Sequence, residues 1–261
     1  MLAVISPAKT LDFESDLPAH EPTQPVFLEQ AEELVSILRQ FSQAEIRDLM
    51  GVSENLAELN YDRYQEWSLP LTEDNARAAL FAFKGDVYNG FELGSYGKRD
   101  LAFAQKRLRI LSGLYGMLRP LDLMLPYRLE MGTALENPKG KDLYAFWRDT
   151  LTPAVSDALD DAGSRVLVNL ASKEYFSALD PKELDAEIVT PQFKDLKGGK
   201  YKIVSFYAKK ARGLMCDFMI RERIREPEEL KRFEVDGYQF NPKLSEGKEW
   251  VFPRDAPPAA T

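Results

Sequence analysis

The chain has 261 residues, 44% of them hydrophobic and 29% charged, with a formal net charge of −8. This is enough for one large globular domain or two small ones, and no apolar run approaches the length of a membrane span. One cysteine, Cys216, and one histidine, His20, exclude an internal disulfide and an ordinary zinc site. They also exclude a Ser-His-Asp or Cys-His centre unless His20 folds back into a cleft. Carboxylate-bound metals stay open.

Met1 leads into Leu2-Ala3-Val4-Ile5 without a basic stretch or a small-residue cleavage site, so no secretory leader is expected. With a single thiol, this points to a soluble protein of a reducing, cytoplasmic compartment. Leu2–Ile5 reads as a buried strand, ended by Ser6-Pro7, with residues 8–12 as a loop. His20 stands between Pro18 and Pro22 and reads as a loop residue. Residues 25–50 carry helical periodicity through Phe27, Leu28, Ala31, Leu34, Val35 and Leu38, then Ile46, Leu49 and Met50. Residues 53–60 and 72–83 read as further helices. Residues 101–111 form an amphipathic stretch that runs into Gly113 and Gly116. Residues 165–171 read as a strand turning at Ser172 into a short helix.

Two strands, 187–195 and 200–207, flank Lys197-Gly198-Gly199, a hairpin signal because glycine supplies the positive φ of tight turns. Residues 208–225 then read as a helix closed by Pro227, with Ala211, Leu214, Met215, Phe218, Met219 and Ile220 on its buried side. Cys216 lies in this helix beside Asp217 and reads as a small buried hydrophobe, not as a peroxide-sensing thiol. The fold class expected is therefore mixed α/β: a single domain over residues 1–252, a sheet that is partly antiparallel, and a frayed tail over 253–261.

Charge is unevenly placed. Residues 12–74 carry 15 acidic and 3 basic side chains. Residues 98–128 carry 7 basic and 2 acidic, and residues 194–212 carry 7 basic and 1 acidic. Two basic segments on an acidic protein can join into one surface that holds phosphates by counterion release. The plainer reading is solvated faces matched to acidic neighbours. Glycine and aromatic punctuation within both segments favours function.

Four constellations could carry it. Arg109 to Asp122 encloses Gly113-Leu114-Tyr115-Gly116, whose glycines would let backbone N–H groups approach a phosphate. It looks like a helix-hairpin-helix element, although its glycines stand two residues apart instead of one, and a glycine-punctuated turn is the alternative. Arg109 and Arg119 on its flanks favour phosphate contact. Tyr207-Ala208-Lys209-Lys210-Ala211-Arg212-Gly213 puts three cations at a helix start. Cations are disfavoured there, so either an anionic ligand or acids such as Asp195 or Glu174 must compensate. Ser6-Pro7-Ala8-Lys9-Thr10 follows a strand end, a common ligand position. Lys84 beside Gly85 is the fourth.

Together these segments resemble the signature blocks of the YaaA-type peroxide-stress family. The blocks are Ile5-Ser6-Pro7-Ala8-Lys9-Thr10-Leu11-Asp12, Phe83-Lys84-Gly85-Asp86-Val87-Tyr88, Leu111 to Gly116 with Leu118 to Asp122, Pro126 to Gly132, Asn169 to Ser172, and Ser205 to Gly213. They run in order over nearly the whole chain. The resemblance implies a bacterial cytoplasmic protein that limits hydrogen peroxide damage, chiefly by keeping unincorporated iron low. It also implies DNA binding through a positive cleft and a helix-hairpin-helix element, in one compact α/β domain of unusual topology.

The reading taken forward is a DNA-binding protein, monomeric, without a cofactor and with little sequence selectivity, acting on duplex or locally opened DNA. Lys9, Lys84, Arg109, Arg119, Arg128, Lys173, Lys209, Lys210 and Arg212 would contact phosphates, and Gly113 and Gly116 would shape the hairpin. An enzyme acting on a phosphate-bearing or nucleotide substrate stands beside it, with Lys9, Asp12, Lys173, Glu174 and Tyr207 as acid-base candidates. A carboxylate iron binder is the third reading, although no ligand spacing marks it. The first, second, fourth and last of the signature blocks are expected to converge on one concave surface.

Overall fold

Leu2-Ala3-Val4-Ile5 is apolar at every position, the pattern of a strand covered on both faces. It forms β1 (Leu2–Ile5), buried throughout. The computed structural model describes residues 1–256. After β1 come β2 (Thr10–Leu11), α1 (Leu28–Leu38), α2 (Gln43–Met50) and α3 (Glu54–Glu66). The acidic N-terminal third is thus a helical layer. Ala31, Leu34, Val35 and Leu38 form the buried stripe of α1, and α2 starts on a complete capping box between Ser42 and Glu45.

β3 (Arg77–Ala78), α4 (Ala79–Ala82) and β4 (Phe83–Lys84) follow. The helix expected over 72–83 is therefore a strand, one helical turn and a second strand. β3 pairs with Leu123–Met124, and β4 pairs with β2, so tertiary pairing overrides local preference. Next come α5 (Lys98–Arg107), β5 (Leu108–Ser112), β6 (Gly116–Leu118), β7 (Leu123–Met124), α6 (Leu143–Asp161), β8 (Val166–Leu170) and α7 (Lys173–Phe176). The chain ends with β9 (Glu187–Lys197), β10 (Lys200–Lys202), α8 (Ser205–Arg221) and β11 (Glu249–Arg254).

Among the described residues, seven strands make one mixed sheet in the order β10-β9-β8-β1-β5-β6, with β11 also on β9. β1 is parallel to both neighbours, β5 and β8, while β5–β6 and β9–β10 are antiparallel hairpins. The result is a single α/β domain, and the glycine hairpin between β9 and β10 forms where the sequence signal places it. α8 begins three residues earlier than expected, at Ser205, which puts Tyr207 in a helix instead of a strand.

The segment expected to be helix-hairpin-helix is something else. The helix stops at Arg107, and Leu108–Ser112 continues as a central strand with every residue buried. Gly113 and Gly116 lie in the turn of the β5–β6 hairpin. Gly116 takes φ +67° against the Trp147 ring, where a Cβ would sit 2.6 Å from the indole. Trp147 Nε1 donates to the Gly113 carbonyl at 2.9 Å. The apolar run Leu108-Arg109-Ile110-Leu111 has strand length and lacks helical caps, and that decides the outcome.

The C-terminal boundary also moves. Pro253 and Arg254 complete β11, pairing with Lys194 and Asp195 of β9. Arg254 is buried between Asp195, at 2.7 Å, and Asp236, at 2.7 Å. Pro257-Pro258-Ala259-Ala260 lies outside the described residues. No helix among the described residues is long and apolar enough to cross a membrane.

Candidate functional site

The winding of the sheet reverses at β1. The chain first crosses to β5 on one side and reaches β8 on the other side only later. In parallel sheets the crevice beyond the carboxyl ends at such a point is the preferred ligand position. Here Ile5 lies in register with Leu170, and the chain leaves both strands together as Ser6 and Ala171-Ser172. The Ser172 N–H donates to Ser6 Oγ at 2.8 Å, and Ser6 Oγ donates to Ser172 Oγ at 3.3 Å. Tyr88 Oη donates to the Ser6 carbonyl at 3.3 Å. Two distant signature blocks are thereby locked to one edge, with a third behind them.

Charged side chains ring this edge. Lys9 Nζ lies 2.7 Å from Glu130, which also takes Arg128 Nη2 at 3.2 Å. Burial alone would raise the Glu130 carboxyl, but the Lys9 hydrogen bond and the Arg128 charge together hold it below its usual value. Arg128 keeps a buried Nε with no partner. Asp12 accepts the backbone N–H groups of Ser15 and Glu14 at 3.0 and 3.1 Å and the Ser15 hydroxyl at 2.7 Å. It also holds Lys84 at 3.2 Å. The Ser15 backbone and hydroxyl donors, then Glu14 and Lys84, drive its carboxyl far below the usual carboxylate range. A group so strongly held ionised is a poor proton carrier near neutrality, so Asp12 orients Lys84 and the turn. Glu174, the other carboxylate candidate, accepts the Gly132 N–H at 3.0 Å. Lys173 is exposed and has no ion pair among the described residues.

α8 reaches the same edge through Gly85 and Asp86. A Cβ on Gly85 would touch that of Ala8 at 3.7 Å, and a Cβ on Gly213 would lie 1.8 Å from the Val87 carbonyl oxygen. Backbone therefore packs on backbone here. Lys209 faces Asp86 at 3.8 Å and Lys210 faces Asp236 at 3.8 Å. The expected counter-acids, Asp195 and Glu174, are not the ones used, because Asp195 is taken by Arg254 and by Tyr238 at 3.0 Å. Arg212 is one turn beyond Lys209. It is half-buried, makes no ion pair or hydrogen bond among the described residues, and burial lowers its pKa. Tyr207 presents its ring to the Arg254 guanidinium at 4.7 Å.

The remaining predicted residues are elsewhere. Gly113 and Gly116 are buried in the β5–β6 turn, which leaves their N–H groups out of reach of a phosphate backbone. Arg109, 5% exposed, and Arg119 line a separate groove beside α5 and residues 19–23. Of the expected binding set, Lys9, Lys84, Arg128 and Lys173 lie around the carboxyl edge, and Lys209 is tied to it through Asp86; Lys210 and Arg212 follow on the same helix.

The family model described as Peroxide stress protein YaaA matches residues 1–244. This chain belongs to the YaaA peroxide-stress family. A UPF0246 protein of Hahella chejuensis is 57% identical over 255 residues, covering 98% of this chain and 100% of the relative. UPF0246 proteins of Idiomarina loihiensis and Alteromonas mediterranea are 56% and 54% identical, each with 97–98% of this chain and 98% of the relative covered.

In this YaaA-family chain, residue-level reading missed Glu130, the acid that joins Lys9 to Arg128. It also missed Asp86 and Asp236, the counter-ions of the α8 lysines. Glu130 sits inside the block Pro126 to Gly132, and a lone acid among apolar residues next to an arginine was the available signal. Nothing local marks Asp86 or Asp236.

Proposed function

We propose that this chain acts in the peroxide-stress response as a DNA-binding protein, and that it grips the phosphate backbone at the carboxyl edge of the sheet. The observation that carries the reading is the gathering of cations from four separate segments. Lys9 follows β1, Lys84 ends β4, Lys173 starts α7, and Lys209 with Arg212 lies on α8. Arg212 supports it most: a half-buried guanidinium without a counter-ion is costly, and an incoming phosphate would satisfy it. Lys9, Lys84 and Lys209 are each more than half or about half exposed and hold single carboxylates. Such surface pairs are worth little, so exchange for phosphate is cheap. Backbone contacts of this kind position without reading sequence. Helix-hairpin-helix contact has no part in this account.

The DNA reading is favoured over catalysis because Asp12, one of the acid-base candidates, is committed to the Ser15 turn and to Lys84. Protection against peroxide, including the keeping of free iron low, is the cellular role this reading takes from the family resemblance. The test is a strain whose chain carries Lys173→Ala, Lys209→Ala and Arg212→Ala. Peroxide survival and DNA affinity should fall together while protein level and melting temperature hold. Normal DNA affinity in that variant would reject the edge as the interface.

A further inference from the structure

The groove holding Arg109 has features the DNA reading does not use. It encloses about 940 Å³, within the usual range for small-molecule sites. Arg109 at its base is 95% buried by its 5% exposure. Its Nη1 donates to the carbonyls of Gln105 and Leu108 at 2.9 and 2.8 Å. Nε and Nη2 make no hydrogen bond or ion pair among the described residues. Those two nitrogens form one edge of the guanidinium, with parallel N–H vectors suited to two oxygens of a carboxylate or phosphate. Burial and the Arg119 charge pull the Arg109 pKa to about 10, with Asp122 and Asp161 opposing. The group stays charged at neutral pH, with Asp122 and Asp161 as nearby opposing charges but no direct ion pair.

The walls define the rest of the ligand. Leu101, Ala102, Pro22 and Leu121 supply an apolar surface. Lys98 and Lys106 stand exposed at the rim, and Arg119 is held in place by Asp122 at 2.8 Å. The carboxylates near these cations are Glu21, Asp161 and the Asp122 that holds Arg119, three acids against the four cations Lys98, Lys106, Arg109 and Arg119, which leave the groove positive.

We propose that this groove is a second binding site, for a small organic anion of about mononucleotide size, its oxyanion clamped by the Nε–Nη2 edge of Arg109 and its apolar or ring portion against Leu101 and Ala102. The site is independent of the carboxyl edge.

The test is calorimetric titration of the full chain with adenosine 5′-monophosphate, adenosine and citrate. The monophosphate should bind saturably, with adenosine at least about tenfold weaker for want of the charge-assisted pair. Citrate matching the monophosphate would support the site with a carboxylate as its natural oxyanion. Arg109→Lys keeps the charge, removes the fork and should weaken binding about tenfold. Ala102→Trp is on an exposed position of α5 and should block the groove without touching the core, so it decides the matter should Arg109→Lys fold poorly. Absence of saturable binding by both anions at millimolar concentration, or binding indifferent to Ala102→Trp, would overturn the proposal. So would displacement of the monophosphate by duplex DNA together with weaker duplex binding in Ala102→Trp, which would hand the groove to nucleic acid.

Discussion

The two basic segments look alike in sequence, and the fold uses them in opposite ways. Residues 98–128 run through α5 into a buried hairpin at one end of the sheet. Their cations divide between Arg107, which donates to the Met1 carbonyl at 3.2 Å, the Arg109 groove, and Arg128 behind Glu130. Residues 194–212 pass from the β9–β10 hairpin to the exposed start of α8, where Lys209 meets Asp86, two residues after Lys84. Charge density along a chain therefore does not locate a charged surface. The apolar residues between the charges do: Leu108-Arg109-Ile110-Leu111 drags its arginine inward, whereas Lys197-Gly198-Gly199-Lys200 turns at the surface.

The contrast is sharpest in stability. Arg254→Ala should cost about 3–5 kcal/mol, because it leaves Asp195 buried without its cation; urea unfolding measures this. Gly116→Val should cost about 3 kcal/mol or more, since a β-branched residue disfavours positive φ and would meet Trp147. A mild effect there would mean that the hairpin turn is exposed and would restore the phosphate-gripping role. Lys209→Ala, by contrast, should change stability by less than about 0.5 kcal/mol.

Acid sharpens the edge further. Asp12 has a folded pKa below its ordinary value, so its contribution is present above the usual carboxylate range and is lost as pH falls through the folded pKa. The stability gap between wild type and Asp12→Asn should thus be full at neutrality and shrink in acid. Asp12→Asn should retain most peroxide protection. Collapse of survival with normal DNA affinity and protein level would instead indicate catalysis at this edge. The smallest effect belongs to Cys216, fully buried with its thiol pKa raised by burial and by Asp217. Native protein should resist iodoacetamide, and Cys216→Ala should protect cells as well as wild type does.

Much of this was legible in the sequence. β1, β8, the β9–β10 hairpin and α8 follow from apolar runs and glycine punctuation, and the strand end before Ser6-Pro7-Ala8-Lys9-Thr10 is where β1 stops. Three things were not. The segment 72–83 becomes strand only because Arg77–Ala78 and Phe83–Lys84 find partners at residues 123–124 and 10–11. The glycines at 113 and 116 suit a tight buried turn as well as a phosphate grip, and only Trp147 distinguishes the two. Arg254 falls within the tail expected over 253–261, and only its pairing with Asp195 across β9 and β11 brings it into the sheet.

The central claim is that the carboxyl edge, not the Arg109 groove, meets the phosphate backbone. The direct measurement is the slope of log affinity against log salt for duplex DNA, compared between wild type, a Lys173→Ala, Lys209→Ala, Arg212→Ala variant, and a Lys98→Ala, Lys106→Ala variant. The edge variant should lose about one unit of slope per lost contact, near three in all, and the groove variant none. An unchanged slope in the edge variant with a reduced slope in the groove variant would contradict the account.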